Sequence, residues 1–197
     1  MRVIGIIGPI ASGKSVVIDE LKRLGAAIVL ADEVSRELLR PGNPLLEAVF
    51  REFGARFRRD DGTLDRRGLG AEIAGDDEAR ERLERLMHPA MVARMAEMIA
   101  SLRDDGVPFV ALEAANLVPM GGLALVDMTL LVDAPRAERI RRLMERDGMS
   151  RERAESFVRL HERLGIGGFP ATYRLITSGD RGTTREKVQR LWCELVQ

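Results

Sequence analysis

Short apolar runs alternate along the chain with longer amphipathic stretches, and that alternation predicts an α/β protein. Val3–Ile7 is apolar throughout, the pattern of a strand buried on both faces of a parallel sheet. Between Ser15 and Leu24, Val16, Val17, Leu21 and Leu24 recur at helical spacing, and Gly25 marks the helix end. Ala26–Leu30 is a second apolar run. Ala31-Asp32 follows it and leads into a helix over Glu33–Leu39, for which Asp32 is a candidate N-cap. A strand–helix–strand unit with short loops predicts a right-handed parallel crossover. Ligands of such sheets lie beyond the carboxyl ends of the strands, so Asp32 is expected at that rim.

After the turn cluster Pro41-Gly42-Asn43-Pro44, Leu45–Phe53 reads as a helix that Gly54 ends. Arg58–Arg67 is charged, with a tight turn at Asp61-Gly62 that predicts a hairpin or bend. Asp76–Met87 reads as a helix with Glu81, Arg82, Glu84 and Arg85 outside. Pro89 disfavours helical torsions at the residue before it, so His88 is expected at a bend interrupting the helix. The helix then resumes over Pro89–Leu102, with Met91, Val92, Met95, Met98 and Ile99 as core filler. Val107–Leu112 is a third strand with Glu113 at its end, and Asp127–Val132 a fourth with Asp133 at its rim. A basic helix spans Arg136–Arg146. Ser150 caps the next helix, which runs to about Arg163, and Gly165, Gly167 and Gly168 make a flexible segment. Tyr173–Thr177 is a weak fifth strand. Thr184–Val196 closes the chain as a helix with Val188, Leu191, Trp192 and Leu195 inward.

Composition narrows the function classes. At 197 residues and 45% hydrophobic content, one domain with a substantial core is expected. Lys+Arg and Asp+Glu both number 31, a balance that argues against a generic nucleic-acid binder. The single Cys193 forms no internal disulfide, which suits a reducing compartment. No apolar run approaches the ~20 residues of a membrane span. The early strand leaves no room for a signal peptide, so a cytoplasmic protein with no membrane or nucleic-acid partner is expected, as a monomer or small homo-oligomer.

The candidate chemistry starts where the first strand ends. Gly8-Pro9-Ile10-Ala11-Ser12-Gly13-Lys14-Ser15 is G-x-x-x-x-G-K-S between a strand and a helix, the P-loop pattern in its proper context. Gly8 and Gly13 allow torsions and a close phosphate approach that a side chain obstructs. Ile10, Ala11, Ser12 and Gly13 then present backbone N–H groups to phosphate oxygens, at the positive end of the helix entered through Val16. Lys14 supplies a cation for the β- and γ-phosphates, and the Ser15 hydroxyl is a candidate Mg²⁺ ligand. Glu113, an acid at a strand end, fits the metal-organising role of a Walker-B carboxylate. Arg142 and Arg146, four apart on one helix face, fit a lid that closes over a nucleotide and excludes water.

These pieces occur in an order that resembles the dephospho-coenzyme A kinase family. The matches are GPIASGKS, LADEVSRELLRPGNP, FG followed by DGTLDRRGL, the LMHP segment, the Asp127–Val132 strand and RIRRLMERDGMS. VALEAANL is similar to the strand of the kinase half of bifunctional eukaryotic coenzyme A synthase. The resemblance implies a three-layer α/β P-loop kinase fold with a five-stranded parallel sheet. It divides the chain into a core (1–35, 105–135, 170–197), a helical acceptor-binding region (about 36–104) and a lid (about 136–168). It implies ATP and Mg²⁺, and phosphorylation of the ribose 3′-hydroxyl of dephospho-coenzyme A. On this reading Asp32 orients or deprotonates that hydroxyl, Arg67 and His88 belong to the acceptor side, and Arg142 and Arg146 serve the lid. Some positions depart from the family pattern: Ala11 and Val16 in the loop, Leu30 for the first Asp of D-A-D, and Ala115–Pro119 for P-L-L-x-E. Arg139 and His161 each replace a frequent Gln, and Thr177 a common Asn. A kinase of another small acceptor, such as a nucleoside or nucleotide, stays open as an alternative, as does a nucleotide-binding protein that has lost transfer activity.

Overall fold

The computed structural model describes residues 1–163 and 165–196. Its centre is β1 (Arg2–Ile7), flanked by β3 (Phe109–Glu113) and β4 (Met128–Asp133). Outside these lie β2 (Ala27–Leu30) and β5 (Tyr173–Ile176), giving a five-stranded sheet in the order β2-β3-β1-β4-β5 with every neighbouring pair parallel. At the start of β1, Arg2 N–H donates to Pro108 O at 2.9 Å and Val3 N–H is held by a side chain, donating to Asp127 Oδ2 at 2.7 Å.

Strand alternation sends Val3 and Ile7 to one face of the sheet and Ile4 and Ile6 to the other. The Ile4 face packs on α1 (Lys14–Arg23) and α8 (Arg181–Leu195) through Val17, Leu21, Val188 and Leu195. The Val3 face packs on α2 (Ala31–Leu38), α3 (Pro44–Phe53), α4 (Arg66–Ile73) and α5 (Asp77–Asp104). Alternation puts residue 5 on this second face, and it is glycine there because Leu117 fills the space of a Cβ, which would stand 2.6 Å from Leu117 Cδ2. The result is three layers, helix–sheet–helix. α6 (Arg136–Asp147) and α7 (Arg151–Arg163) form a hairpin with its own small core of Ile140, Leu143, Ala154 and Val158. Ile10 and Ala11 pack against that core from the P-loop.

The expected bend at Asp61-Gly62 is present. Arg58 and Leu64 form an isolated antiparallel bridge, with Gly62 at φ 78°. Ser150 caps α7 as expected, its Oγ accepting from Arg153 N–H at 3.3 Å.

Four local expectations are corrected. The helix is not interrupted at His88-Pro89: α5 runs unbroken from Asp77 to Asp104. A proline inside a helix costs ~3 kcal/mol. Met87, Met91, Met95 and Ile99 are buried in one stripe across it, and such side chains contribute ~1.5–3 kcal/mol each. Packing therefore outweighs the local preference. α4 begins at the end of the charged stretch Arg58–Arg67 and runs on through residues for which no element is expected, because Leu69 buries one side of it. α2 begins at Ala31 with Leu30 at its N-cap, so Asp32 sits inside the first turn and is not the cap. α8 begins at Arg181, capped by Asp180, whose side chain accepts from Thr183 N–H at 2.8 Å.

Candidate active site

β1 delivers the chain to a loop whose geometry leaves no choice of residue at two positions. A Cβ on Gly8 would lie 2.1 Å from the Val132 carbonyl oxygen. Gly13, at φ 90°, is the N-cap of α1. Ala11 is the one non-glycine residue with positive φ among those described, at φ 57°. An L-residue there is strained by ~1–2 kcal/mol. The loop turns back on itself through Ser12 N–H, which donates to Pro9 O at 3.3 Å. The Ser12 hydroxyl is buried with no partner among the described residues. Lys14 folds over the loop, its Nζ donating to Gly8 O at 2.9 Å and Pro9 O at 3.2 Å. Burial pulls the Lys14 pKa down, the Glu113 carboxylate opposes that, and Arg146 adds to it.

The rim beside the loop comes from β2 and β3. Leu30 and Glu113 are register partners at the strand ends, and Asp32 follows Leu30 in the first turn of α2. Burial pushes the Glu113 pKa up; Lys14 opposes the shift and Asp32 strengthens it. Asp32 also pairs with Arg36 one turn on, both side chains largely exposed, a contact of little energetic weight.

From the other side, α6 brings Arg142 and Arg146 to the loop. Arg142 donates to Ala11 O at 3.2 Å, to Thr177 Oγ1 at 2.9 Å and to Thr177 O at 2.6 Å, and pairs with Glu138 at 3.1 Å. Arg146 is more exposed and pairs with neighbouring Asp147 at 2.7 Å.

Two cavities meet here. The larger, about 960 Å³, holds Ile10 to Val16, Arg142, Arg146, Thr177 and the start of α8 on its walls. The smaller, about 460 Å³, opens between α2, α4 and α5, with an apolar wall of Leu39, Leu64, Leu69, Ile73, Met87 and Met91. Its polar groups include Ser35, Arg66, Glu84 and His88. Asp32 and Glu113 line both cavities. Burial lowers the His88 pKa, against the pull of Glu84 one turn before it.

Nearly all the residues singled out from the sequence thus converge. Ile10, Ala11, Ser12, Gly13, Lys14, Ser15, Val16, Asp32, Glu113, Arg142 and Arg146 line the larger cavity. Gly8 forms the base of the loop, and His88 lines the smaller cavity. Arg67 is not on either wall; its neighbour Arg66 is. Glu84, expected on the outside of its helix, instead lines the smaller cavity, and Asp180, on the wall of the larger one, drew no functional reading. Glu84 was detectable as the residue one turn before His88. Asp180, in Ser-Gly-Asp-Arg, carried a helix-start signal.

The donor set fits a phosphate-bound magnesium ion. Ser15 and Glu113 supply a hydroxyl and a carboxylate, while no cluster of three or more His, Cys, Asp or Glu suited to a metal occurs among the described residues. Magnesium is held by one or two carboxylates completed by phosphate oxygens and water. Among the described residues, no helix is long and apolar enough to cross a membrane.

Comparison with known proteins agrees with this geometry. A family model described as dephospho-CoA kinase (CoaE) matches residues 2–163. A dephospho-CoA kinase from Geobacter sulfurreducens is 37% identical over 198 residues, spanning 98% of this chain and 98% of the relative. One from Anaeromyxobacter dehalogenans is 42% identical over 166 residues, 84% of this chain and 78% of the relative. Among solved structures, TT1252 from Thermus thermophilus superposes with a TM-score of 0.81 at 30% identity, covering 100% of this chain and 98% of that one. The fold is that of the P-loop kinases, and the chain belongs to the dephospho-CoA kinase family.

Proposed function

We propose that this enzyme transfers the γ-phosphoryl group of ATP to the ribose 3′-hydroxyl of dephospho-coenzyme A, in the cytoplasm, giving coenzyme A and ADP. The observation that carries the reading is the junction: a phosphate-loop cavity and an apolar cavity with a few polar groups share Asp32 and Glu113 on their walls. A phosphoryl donor in one and an acceptor in the other would meet there and nowhere else along the two walls.

The residues divide the work by position. The loop from Gly8 to Ser15, continuing into Val16, binds and orients the phosphates through its backbone N–H groups. Lys14 follows the transferring group as its cation. Asp32 accepts the proton of the 3′-hydroxyl as that oxygen bonds to the γ-phosphorus and the bond to the β–γ bridging oxygen breaks. Proximity matters more than basicity here, because the transition state is loose. Ser15 and Glu113 hold Mg²⁺, which supplies charge neutralisation on the phosphates. Arg146 faces the γ-phosphate, and Arg142 contacts the nucleotide while gripping the loop. Arg66 and His88 meet the polar groups of the acceptor, while the methionine and leucine wall takes its apolar part; Arg67, off both walls, is left with no contact to it.

On the same reading, residues 1–35, 105–135 and 170–197 form the core of one domain. Residues about 36–104 form the acceptor region, and the α6–α7 hairpin within about 136–168 is the lid. The enzyme works as a monomer or small homo-oligomer, without nucleic-acid or membrane partners. A coupled assay for ADP release with an acceptor panel tests the proposal. Dephospho-coenzyme A is expected to be turned over, and nucleosides and nucleoside monophosphates are not. Turnover of a nucleotide but not of dephospho-coenzyme A would overturn it.

A further inference from the structure

Thr177 holds the nucleotide loop from behind, although it lies 165 residues from Ser12 in sequence. It follows β5 directly and is only 1% exposed. Its N–H donates to Asp133 O at 2.8 Å, which fixes its backbone to the end of β4. Its hydroxyl then does two things at once: it donates to the Ser12 carbonyl and accepts from Arg142 Nη1 at 2.9 Å. Arg142 grips the Thr177 carbonyl as well, at 2.6 Å, and the carbonyl of Ala11 at 3.2 Å. The fit is close. A Cβ on Gly13 would come within 2.9 Å of Thr177 Oγ1 and 3.1 Å of Arg142 Nη1.

We infer that Thr177 is a positioning residue for nucleotide binding, which with Arg142 sets the orientation of the Ser12–Gly13 peptide. In a trans peptide the carbonyl of one residue and the N–H of the next point in opposite directions. A hydroxyl that draws the Ser12 carbonyl backwards therefore turns the Gly13 N–H forwards, toward the phosphate position. The loop needs such a hold, since Ala11 keeps an unfavourable torsion one residue earlier. Thr177 also begins the segment that reaches Gly179, Asp180 and Arg181 on the wall of the same cavity. The phosphate loop and the far wall of the nucleotide cavity are thereby joined through one hydroxyl.

The inference rests on the reading of this cavity as a nucleotide site, and its test separates the two. Thr177→Val keeps the shape and removes the hydroxyl. Calorimetric titration with ADP is expected to give a Kd raised ~10-fold, about the worth of one such hydrogen bond, and the KM for ATP is expected to rise similarly with kcat within about twofold. Thr177→Ser is expected to restore both. If Thr177→Val is too unstable to titrate, the cycle of Thr177→Ala, Arg142→Lys and their double variant still reads the coupling between the two side chains in ADP binding. Unchanged ADP affinity in Thr177→Val, a loss that Thr177→Ser does not repair, or additive Arg142 and Thr177 effects in the cycle would each overturn the inference. Absence of ADP binding by the unaltered protein would instead overturn the nucleotide reading itself.

Discussion

Leu30 stands directly beside Glu113 in the register of β2 and β3, an aliphatic side chain next to the carboxylate of the junction. Together with the surrounding burial it leaves Glu113 poorly hydrated, and the carboxyl pKa is raised above its ordinary 4.5. Lys14 is shifted oppositely, below its ordinary 10.5. On the proposed roles, activity requires Glu113 ionised and Lys14 protonated. kcat/KM is therefore expected to rise with pH through a limb above 4.5 and fall through a limb below 10.5. Because Asp32 contributes to the Glu113 shift, Asp32→Asn should lower the Glu113 pKa in a carboxyl NMR titration of the ligand-free protein. An unmoved Glu113 titration would show that the two carboxylates do not interact.

Lys14 and Asp32 are expected to separate kinetically. Lys14→Ala should lower kcat ~10³-fold, as removal of a transition-state charge partner does. Its melting temperature should not fall, since a half-buried ammonium is no asset to the fold. Asp32→Asn should lower kcat ~10²–10³-fold with the KM for ATP within about threefold. If instead KM for ATP rose and kcat held, Asp32 would be a ligand of nucleotide or metal. Steady-state kinetics with both substrates varied distinguishes these outcomes.

Glu20 supplies a prediction about the fold itself. It is 2% exposed on α1, accepts from Arg23 at 2.6 Å and from Gln189 of α8 at 2.7 Å, and lies 3.9 Å from Arg185. The Arg23 and Gln189 hydrogen bonds hold its pKa down at about 2. A carboxyl depressed in the folded state stabilises fully above its ordinary 4.5, and that contribution is lost as pH falls toward about 2. Glu20→Gln should lower the melting temperature at neutral pH by ~5 °C and flatten its decline across that acid window. Parallel melting curves of the two proteins from pH 5 to about pH 2 would rule the cluster out as a source of acid sensitivity.

Pro89 is exposed in the middle of α5, where it denies the Arg85 carbonyl its helical donor. Pro89→Ala should stabilise the protein by ~2 kcal/mol in denaturant unfolding. The same change alters the helix at His88, so the KM for the acceptor is expected to rise while that for ATP stays put. A stability gain with both KM values unchanged would show that the proline does not shape the acceptor cavity.

The parts of this molecule legible in the sequence are those where one local rule acts alone. Val3–Ile7 could be read as a buried strand because both of its faces are covered, and the loop after it because Gly8 and Gly13 answer to backbone geometry within a few residues. Glu113 and Asp32 followed from the rule that strand ends form the site. What escaped was settled by distant partners. The bend expected at Pro89 lost to a methionine stripe that packs on α2 and the sheet. α4 was hidden by its charges and its two glycines, Gly68 and Gly70, since nothing near Leu69 in sequence announces that it is buried. Arg66 rather than Arg67 faces the cavity because the phase of that unrecognised helix decides it. Thr177 shows in the sequence only as a departure from the family pattern, because its partners Ser12 and Arg142 become neighbours only once the sheet forms.

The central place of β1 has a consequence for how the protein is made. β1 comprises residues 2–7, while its two neighbours, β3 and β4, comprise residues 109–113 and 128–133. On the ribosome, the central strand is thus completed long before either of the strands that bond to it. In that interval its N–H and carbonyl groups and its isoleucines have only β2 and the helices that follow for company. Such a segment is exposed to off-pathway pairing until the chain beyond Asp133 emerges. Asp127, whose side chain holds Val3 N–H, immediately precedes β4, so the group that ties down the start of the central strand is made together with one of that strand's two neighbours.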